Sequence, residues 1–187
     1  MSKPTVLLLG SRVRLTAIEQ DDAATIARWG ADSEFLRFYD TRPAYPPSEA
    51  EVADRLDKLI KDKRTIAFGI RPLDSDELIG TVELDGIIWA HGVCGIAIAI
   101  GDRQNRGKGY GSEAVELALA FAFNELNLHR ITATVFSYNE RSMAMIERLG
   151  FRREGAFREF LQRDGERYDM LLYGLLRPEW RRHRGQD

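Results

Sequence analysis

The sequence predicts an α+β fold, a central mixed and mostly antiparallel sheet with flanking helices, and three observations carry the prediction. Strand patterns at 65–71, 77–88 and 92–101 follow one another across short turns, which reads as an antiparallel meander. A long, mostly apolar helical pattern at 110–126 lies between the third of these strands and another at 130–136, and strand, helix, strand makes a parallel crossover. Strand patterns at 151–161 and 166–176 flank Arg163-Asp164-Gly165, whose Asp-Gly pair is a hairpin signal.

The other elements follow in chain order. Residues 12–18 alternate polar and apolar side chains as a half-buried strand does, and Asp21 or Asp22 can cap a helix running to about Trp29. The stretch 30–47 carries Phe35, Phe38, Tyr39 and Tyr45 among three prolines; it is too irregular for one long helix, and it either lines a cleft or closes over the core. Ser48 and Glu51 have the spacing of a capping box, and Val52, Leu56, Leu59 and Ile60 continue at helical period to about Asp62. A further helix spans 139–149 and ends at Gly150, while 181–187 read as a frayed tail. With no repeat, low-complexity stretch or linker, the expectation is one domain over 1–187 with its core at 12–180.

Composition removes several classes of function. Apolar residues at 44% and charged residues at 30% exclude a wholly disordered or fibrous chain. A formal net charge of −2 argues against nucleic acid or anionic membrane as the main partner, so any positive site must be local. The lone Cys94 rules out a disulfide framework, and His91, His129 and His183 show no ligand spacing, so no metal site is expected. The apolar run at 6–9 is too short for a secretory signal or a membrane span, which points to a cytoplasmic location.

The most informative segment is Gln104-Asn105-Arg106-Gly107-Lys108-Gly109-Tyr110-Gly111-Ser112, between a predicted strand and the start of a predicted helix. The first turn of a helix leaves backbone N–H groups unpaired and carries partial positive charge, and glycines let a phosphate approach that backbone closely. Arg103, Arg106 and Lys108 add mobile positive charge. A Walker loop does not fit, because Gly109 follows Lys108 where Ser or Thr is required, and a dinucleotide fingerprint fails at Ser112.

The segment 104–109 resembles the acetyl-CoA pyrophosphate loop, Gln/Arg-x-x-Gly-x-Gly/Ala, of the GNAT superfamily of N-acetyltransferases. A second block, Asn139-Glu140-Arg141-Ser142 followed by Leu149-Gly150-Phe151, is similar to that superfamily's Asn-x-x-Ser/Ala…Gly-Phe helix. A third, with Glu154-Gly155, Arg158, Gly165, Asp169, Tyr173 and Glu179-Trp180, resembles the RimJ/RimL-like branch, and the likeness extends over 12–180.

The resemblance implies a GNAT-like sheet whose strands before the loop and after the crossover helix splay apart around the pantetheine arm of acetyl-CoA. It implies that backbone N–H groups near Ile98 and Ile100 hold that arm and polarise the thioester carbonyl, donors of the kind that stabilise an oxyanion. Gln104, Arg106, Gly107, Lys108, Gly109, Gly111 and Ser112 would then bind the coenzyme's phosphates, with Asn139 and Ser142 touching it from the next helix. Many relatives carry a tyrosine acid four residues after the Ser/Ala position; here that residue is Ile146, so Ser142 is the matching candidate acid. Both residues also have plain readings, Ser142 as a first-turn serine and Asn139 as a helix cap. Glu83, facing away from Val82 and Leu84 on its strand, is the candidate base, unless it is simply an exposed strand glutamate.

The implied reaction is direct attack of a neutral primary amine on the thioester. An α-amine near pKa ~8 is already roughly a tenth neutral at pH 7, whereas a lysine-like amine near ~10.4 is below about a thousandth. Weak base machinery therefore suits a protein N-terminal α-amine. The alternatives are a small-molecule amine (a polyamine, amino sugar or amino acid) and a non-catalytic CoA-binding sensor. Tyr138, Arg158, Tyr168 and Asp169 lie where the family's terminal hairpin approaches the acceptor, with Tyr39 and Tyr45 as an opposite wall, although Arg158 and Asp169 also read as a cross-strand ion pair. Exposed aromatics allow a homodimer of the kind common among the resembled enzymes.

Overall fold

The structure, a computed structural model, describes residues 8–185. Seven strands, β1 (Val13–Ala17), β2 (Ile66–Pro72), β3 (Gly80–Ile88), β4 (Val93–Ile100), β5 (Arg130–Phe136), β6 (Arg152–Arg163) and β7 (Glu166–Leu176), form one sheet in the order β1-β2-β3-β4-β5-β7-β6. Every neighbouring pair is antiparallel except β4 and β5. The expected meander, crossover and terminal hairpin are all present.

Among the described residues six α-helices cover the sheet: α1 (Ala23–Trp29), α2 (Ser33–Tyr39), α3 (Glu49–Lys61), α4 (Tyr110–Asn124), α5 (Glu140–Arg148) and α6 (Arg177–His183). Side chains alternate along each strand, so every strand serves two layers. Val82, Leu84, Ile96, Ile131 and Val135 pack with Ala114, Ala118 and Phe123 of α4, Ile146 of α5 and Trp180 of α6 in the main core. The opposite face carries smaller clusters, Ile18 with Val52 and Leu56 of α3, and Trp29 with Phe35 and Ala99.

Two local expectations are corrected, and a third segment, too irregular for one long helix, proves to hold a short one. The aromatic stretch after Gly30 contains α2, a two-turn helix capped by Asp32, whose carboxylate accepts the Glu34 N–H at 3.0 Å. So short a helix does not hold in isolation; burial of Phe35 against Trp29 and Tyr39 holds it, worth roughly 1.5–3 kcal/mol for such a side chain. Asp22 does not cap α1 with its side chain. Its buried carboxylate instead accepts the Glu19 N–H and pairs with Arg71 at 2.8 Å. The start of the supposed tail is helical, because Arg181, Arg182 and His183 belong to α6, anchored by Trp180; residues 186–187 lie outside the described residues.

The feature that makes a site is the parallel pair. β4 and β5 are in register only at Val93↔Arg130, Cys94↔Ile131 and Gly95↔Thr132. Beyond these, β4 stays paired with β3 as far as Gly80↔Ile100, and β5 with β7 as far as Phe136↔Met170, while their facing edges part. The splay that the resemblance implied is present.

Candidate active site

In an antiparallel ladder successive residues direct their N–H and C=O groups to opposite neighbours. The Gly101 N–H donates to Ile79 at the end of β3, so Ile100, Ile98 and Ile96 direct theirs toward the splayed edge. The Ile100 carbonyl is taken by Arg106 Nε at 3.3 Å, and nothing among the described residues meets the Ile98 N–H or C=O. These groups border a cleft of about 360 Å³ lined by Gly95, Ile98 and Thr134 from the two strands and by Asn139, Ser142, Met145 and Ile146 from α5. Phe38, Tyr39, Asp40 and Thr41, at the end of α2, supply another wall.

The glycine loop opens α4. Gly107 and Gly109 have φ of 80° and 85°, left-handed backbone that glycine adopts without strain, and Gly109 is the N-cap. Among the described residues no acceptor meets the backbone N–H of any residue from Gly107 to Ser112. This row of amides at the positive end of a fifteen-residue helix fits a diphosphate. Glu113 fixes the loop from behind, its carboxylate accepting the backbone N–H groups of Ser11, Arg12 and Val13, and Arg12 Nη1 donates to the Lys108 carbonyl at 2.8 Å.

The charges around the loop are not those the sequence suggested. Arg106 is no mobile cation: its guanidinium donates to the carbonyls of Ile100 and Gly101 and lies over the Phe35 ring, so it braces the turn. Arg103 is spent on Asp32 and Glu34. Lys108 and Gln104 are exposed at the turn, and Ser112 Oγ accepts from Arg148 Nη2 at 3.3 Å. Two guanidiniums that sequence reasoning missed stand closest to the glycines. A Cβ on Gly107 would lie 2.8 Å from Arg141 Nη2, and one on Gly109 would lie 2.4 Å from Arg12 Nη1. Arg141 has no ion pair among the described residues. Its signal was available, one residue before Ser142 on a helix known to approach the loop.

Asn139 caps α5 as expected, its Oδ1 accepting the Ser142 N–H at 3.1 Å, and Ser142 Oγ has no partner among the described residues. Ile146 stands in the cleft wall at the position of the missing tyrosine. Glu83 sits on β3 opposite Ala97, one strand inside the cleft, and does not itself line it. Burial, reinforced by the neighbouring Asp85 carboxylate, pushes Glu83 up to about 7. Asp85 does line the cleft, and burial raises its carboxyl too. Neither carboxylate has a hydrogen-bond or ionic partner among the described residues, and no basic side chain lines the cleft. Tyr39 keeps 43% of its surface exposed. Burial, reinforced by the Glu83 and Asp40 carboxylates, raises its phenol above the ordinary range.

The other acceptor candidates stand outside the cleft. The Tyr138 hydroxyl donates to the Arg37 carbonyl, and its ring packs against Phe38, Phe136 and Tyr168, so it anchors α2. Tyr45 is 72% exposed and does not reach the cleft. The Arg158–Asp169 ion pair is not formed. β6 bulges between Phe157 and Leu161, Glu159 takes φ of 51°, and Asp169 Oδ1 accepts the Glu159 N–H at 2.9 Å, leaving Arg158 exposed.

A profile of the acetyltransferase (GNAT) domain matches residues 12–152. The chain belongs to the GNAT acetyltransferase family. Among curated GNAT relatives, an uncharacterized N-acetyltransferase of Bacillus subtilis (strain 168), YoaA, is 30% identical over 173 residues, covering 92% of this chain and 97% of that one. The [ribosomal protein uS5]-alanine N-acetyltransferase of Escherichia coli (strain K12) is 27% identical over 183 residues, covering 95% and 94%. The spermidine N-acetyltransferase from Vibrio cholerae, solved in complex with CoA and spermine, superposes with a TM-score of 0.83 at 26% identity over 91% of this chain and 99% of that one. The GNAT assignment makes the protein an acetyl-CoA-dependent N-acetyltransferase. No helix among the described residues is long and apolar enough to cross a membrane.

Proposed function

We propose that the protein acetylates the α-amine of a protein N-terminus. The observation that carries this reading is the position of the candidate base: Glu83 lies one strand in and does not line the cleft, so it serves an amine that needs little help to lose its proton. An α-amine is already roughly a tenth neutral at pH 7. The near full-length likeness to an enzyme named for a ribosomal alanine acceptor supports the same reading.

Bound acetyl-CoA supplies the thioester. The amides from Gly107 to Ser112, with Arg12 and Arg141, would hold its diphosphate, and the Ile98 and Ile100 amides on the splayed edge would hold the arm and polarise the carbonyl. Glu83, ionised above about 7, takes the acceptor's proton through the Tyr39 hydroxyl or a water. Ser142, on the first turn of α5, would protonate or stabilise the departing thiolate.

A second reading is a small di- or polyamine acceptor. Asp85 favours it, because a half-buried carboxylate without a cation is costly and a doubly charged amine would satisfy it; the spermidine enzyme of like fold adds support. Thiol release from acetyl-CoA, measured with N-terminal peptides, spermidine, amino sugars and amino acids, separates the readings. The expected result is a kcat/KM at least about tenfold higher for one or more peptides. Spermidine leading the panel overturns the α-amine reading, and tight CoA binding without release for any amine leaves a CoA sensor.

A further inference from the structure

We infer that Arg163, at the tip of the β6–β7 hairpin, is a positioning residue for the acceptor wall of the cleft. The tip is a two-residue turn, Asp164 and Gly165, with φ of 50° and 83°; both central residues left-handed is the hairpin geometry that matches strand twist and leaves little play. From it Arg163 Nη2 reaches a segment 123 residues earlier in the chain, donating to the Asp40 carbonyl at 2.8 Å and to the Arg42 carbonyl at 3.3 Å. One guanidinium nitrogen thus bridges the carbonyls on either side of Thr41 and fixes the direction of the chain where it leaves α2.

The neighbouring contacts act in the same sense. Asp164 pairs with Arg37, and the Arg37 carbonyl accepts the Tyr138 hydroxyl. Phe38, Tyr39, Asp40 and Thr41 line the cleft, whereas Arg37, Tyr138, Arg163 and Asp164 do not. The proline-bearing segment after Tyr39 has no helix or strand of its own until Glu49, so its course depends on what grips it. A hairpin tip that never touches the cleft therefore sets where Tyr39 and Asp40 stand. The inference rests on the proposed function, which takes that wall as the acceptor side, since the splayed β4 edge and α5 line the cleft elsewhere.

The test is a steady-state comparison of unaltered protein, Arg163→Gln and Arg163→Lys, with the best amine of the panel. For Arg163→Gln the KM for the amine rises about tenfold while the KM for acetyl-CoA stays within about twofold, because two hydrogen bonds from a charged donor are lost at the wall alone. Arg163→Lys falls between, since both carbonyls accept from the one Nη2, and an ammonium on a shorter stem keeps the charge but reaches one carbonyl only. An unchanged amine KM, or equal rises in both constants, overturns the inference, as does a loss of kcat alone with a lowered melting temperature. Should Arg163→Gln not fold, Asp164→Asn at the exposed pair reads the same quantity, with a smaller rise expected. Absence of thiol release by the unaltered protein with every amine is a separate failure, that of the transferase reading, and overturns this inference with it.

Discussion

Gly107 and Gly109 combine two constraints that no other residue meets together. Each holds a left-handed φ, which costs an L-residue roughly 1–2 kcal/mol, and each faces a guanidinium that a Cβ would displace. That strain is small beside a domain stability of about 5–15 kcal/mol. Gly107→Val and Gly109→Val are therefore expected to fold, with slightly lowered melting temperatures, and to lose at least about tenfold in CoA affinity by calorimetry, roughly 1.4 kcal/mol. Arg141→Gln should also weaken CoA, severalfold and more at low salt, without lowering the melting temperature, because the side chain holds no other charge. Glu83 predicts a pH signature. As a base held up at about 7, it makes kcat/KM rise with pH through about 7, and Glu83→Gln should flatten that limb. Its raised value means that the folded state binds the proton more tightly than the unfolded chain, whose carboxyl titrates near 4.5. The protein thus loses stability between those two values as pH rises. Glu83→Gln should melt higher than the unaltered protein at pH 8 and at the same temperature at pH 4.

Helix α5 brings the Asn139 cap and the proposed acid Ser142 onto one turn. Asn139→Ala removes the acceptor of the Ser142 N–H and should cost about 1 kcal/mol of stability, read by denaturant titration. Ser142→Ala leaves that cap in place and should lower kcat more than it raises the KM for acetyl-CoA; equal rates would make Ser142 a first-turn serine and nothing more. The elements legible in the sequence were those whose signals are local: the capping box of α3, the glycine-opened α4, the β-branched β5 and the Asp-Gly hairpin. What escaped depends on distant partners. α2 is a helix because Phe35 finds Trp29, and Arg106 is a brace because Asp32, Phe35 and the β4 carbonyls converge on it. Asp85 matters because β3 runs beside the splayed strand, and the terminal aromatics proved to be anchors for α2 because Tyr138 finds the Arg37 carbonyl. No spacing along the chain announces such pairings.

Taken whole, the molecule uses one sheet to hold three things in line. α4, α5 and α6 bury one face and present the glycine loop; α1, α2 and α3 cover the other and carry the opposing wall; the interrupted ladder between β4 and β5 joins them. Each part depends on the coenzyme lying along that interruption with its diphosphate on the α4 amides. Amide NMR during titration with CoA tests this most directly. The account predicts large, saturating shifts in the N–H resonances of Gly107, Lys108, Gly109, Gly111, Ser112 and Ile98, and smaller ones elsewhere. Saturation by CoA with those six resonances unmoved would contradict it.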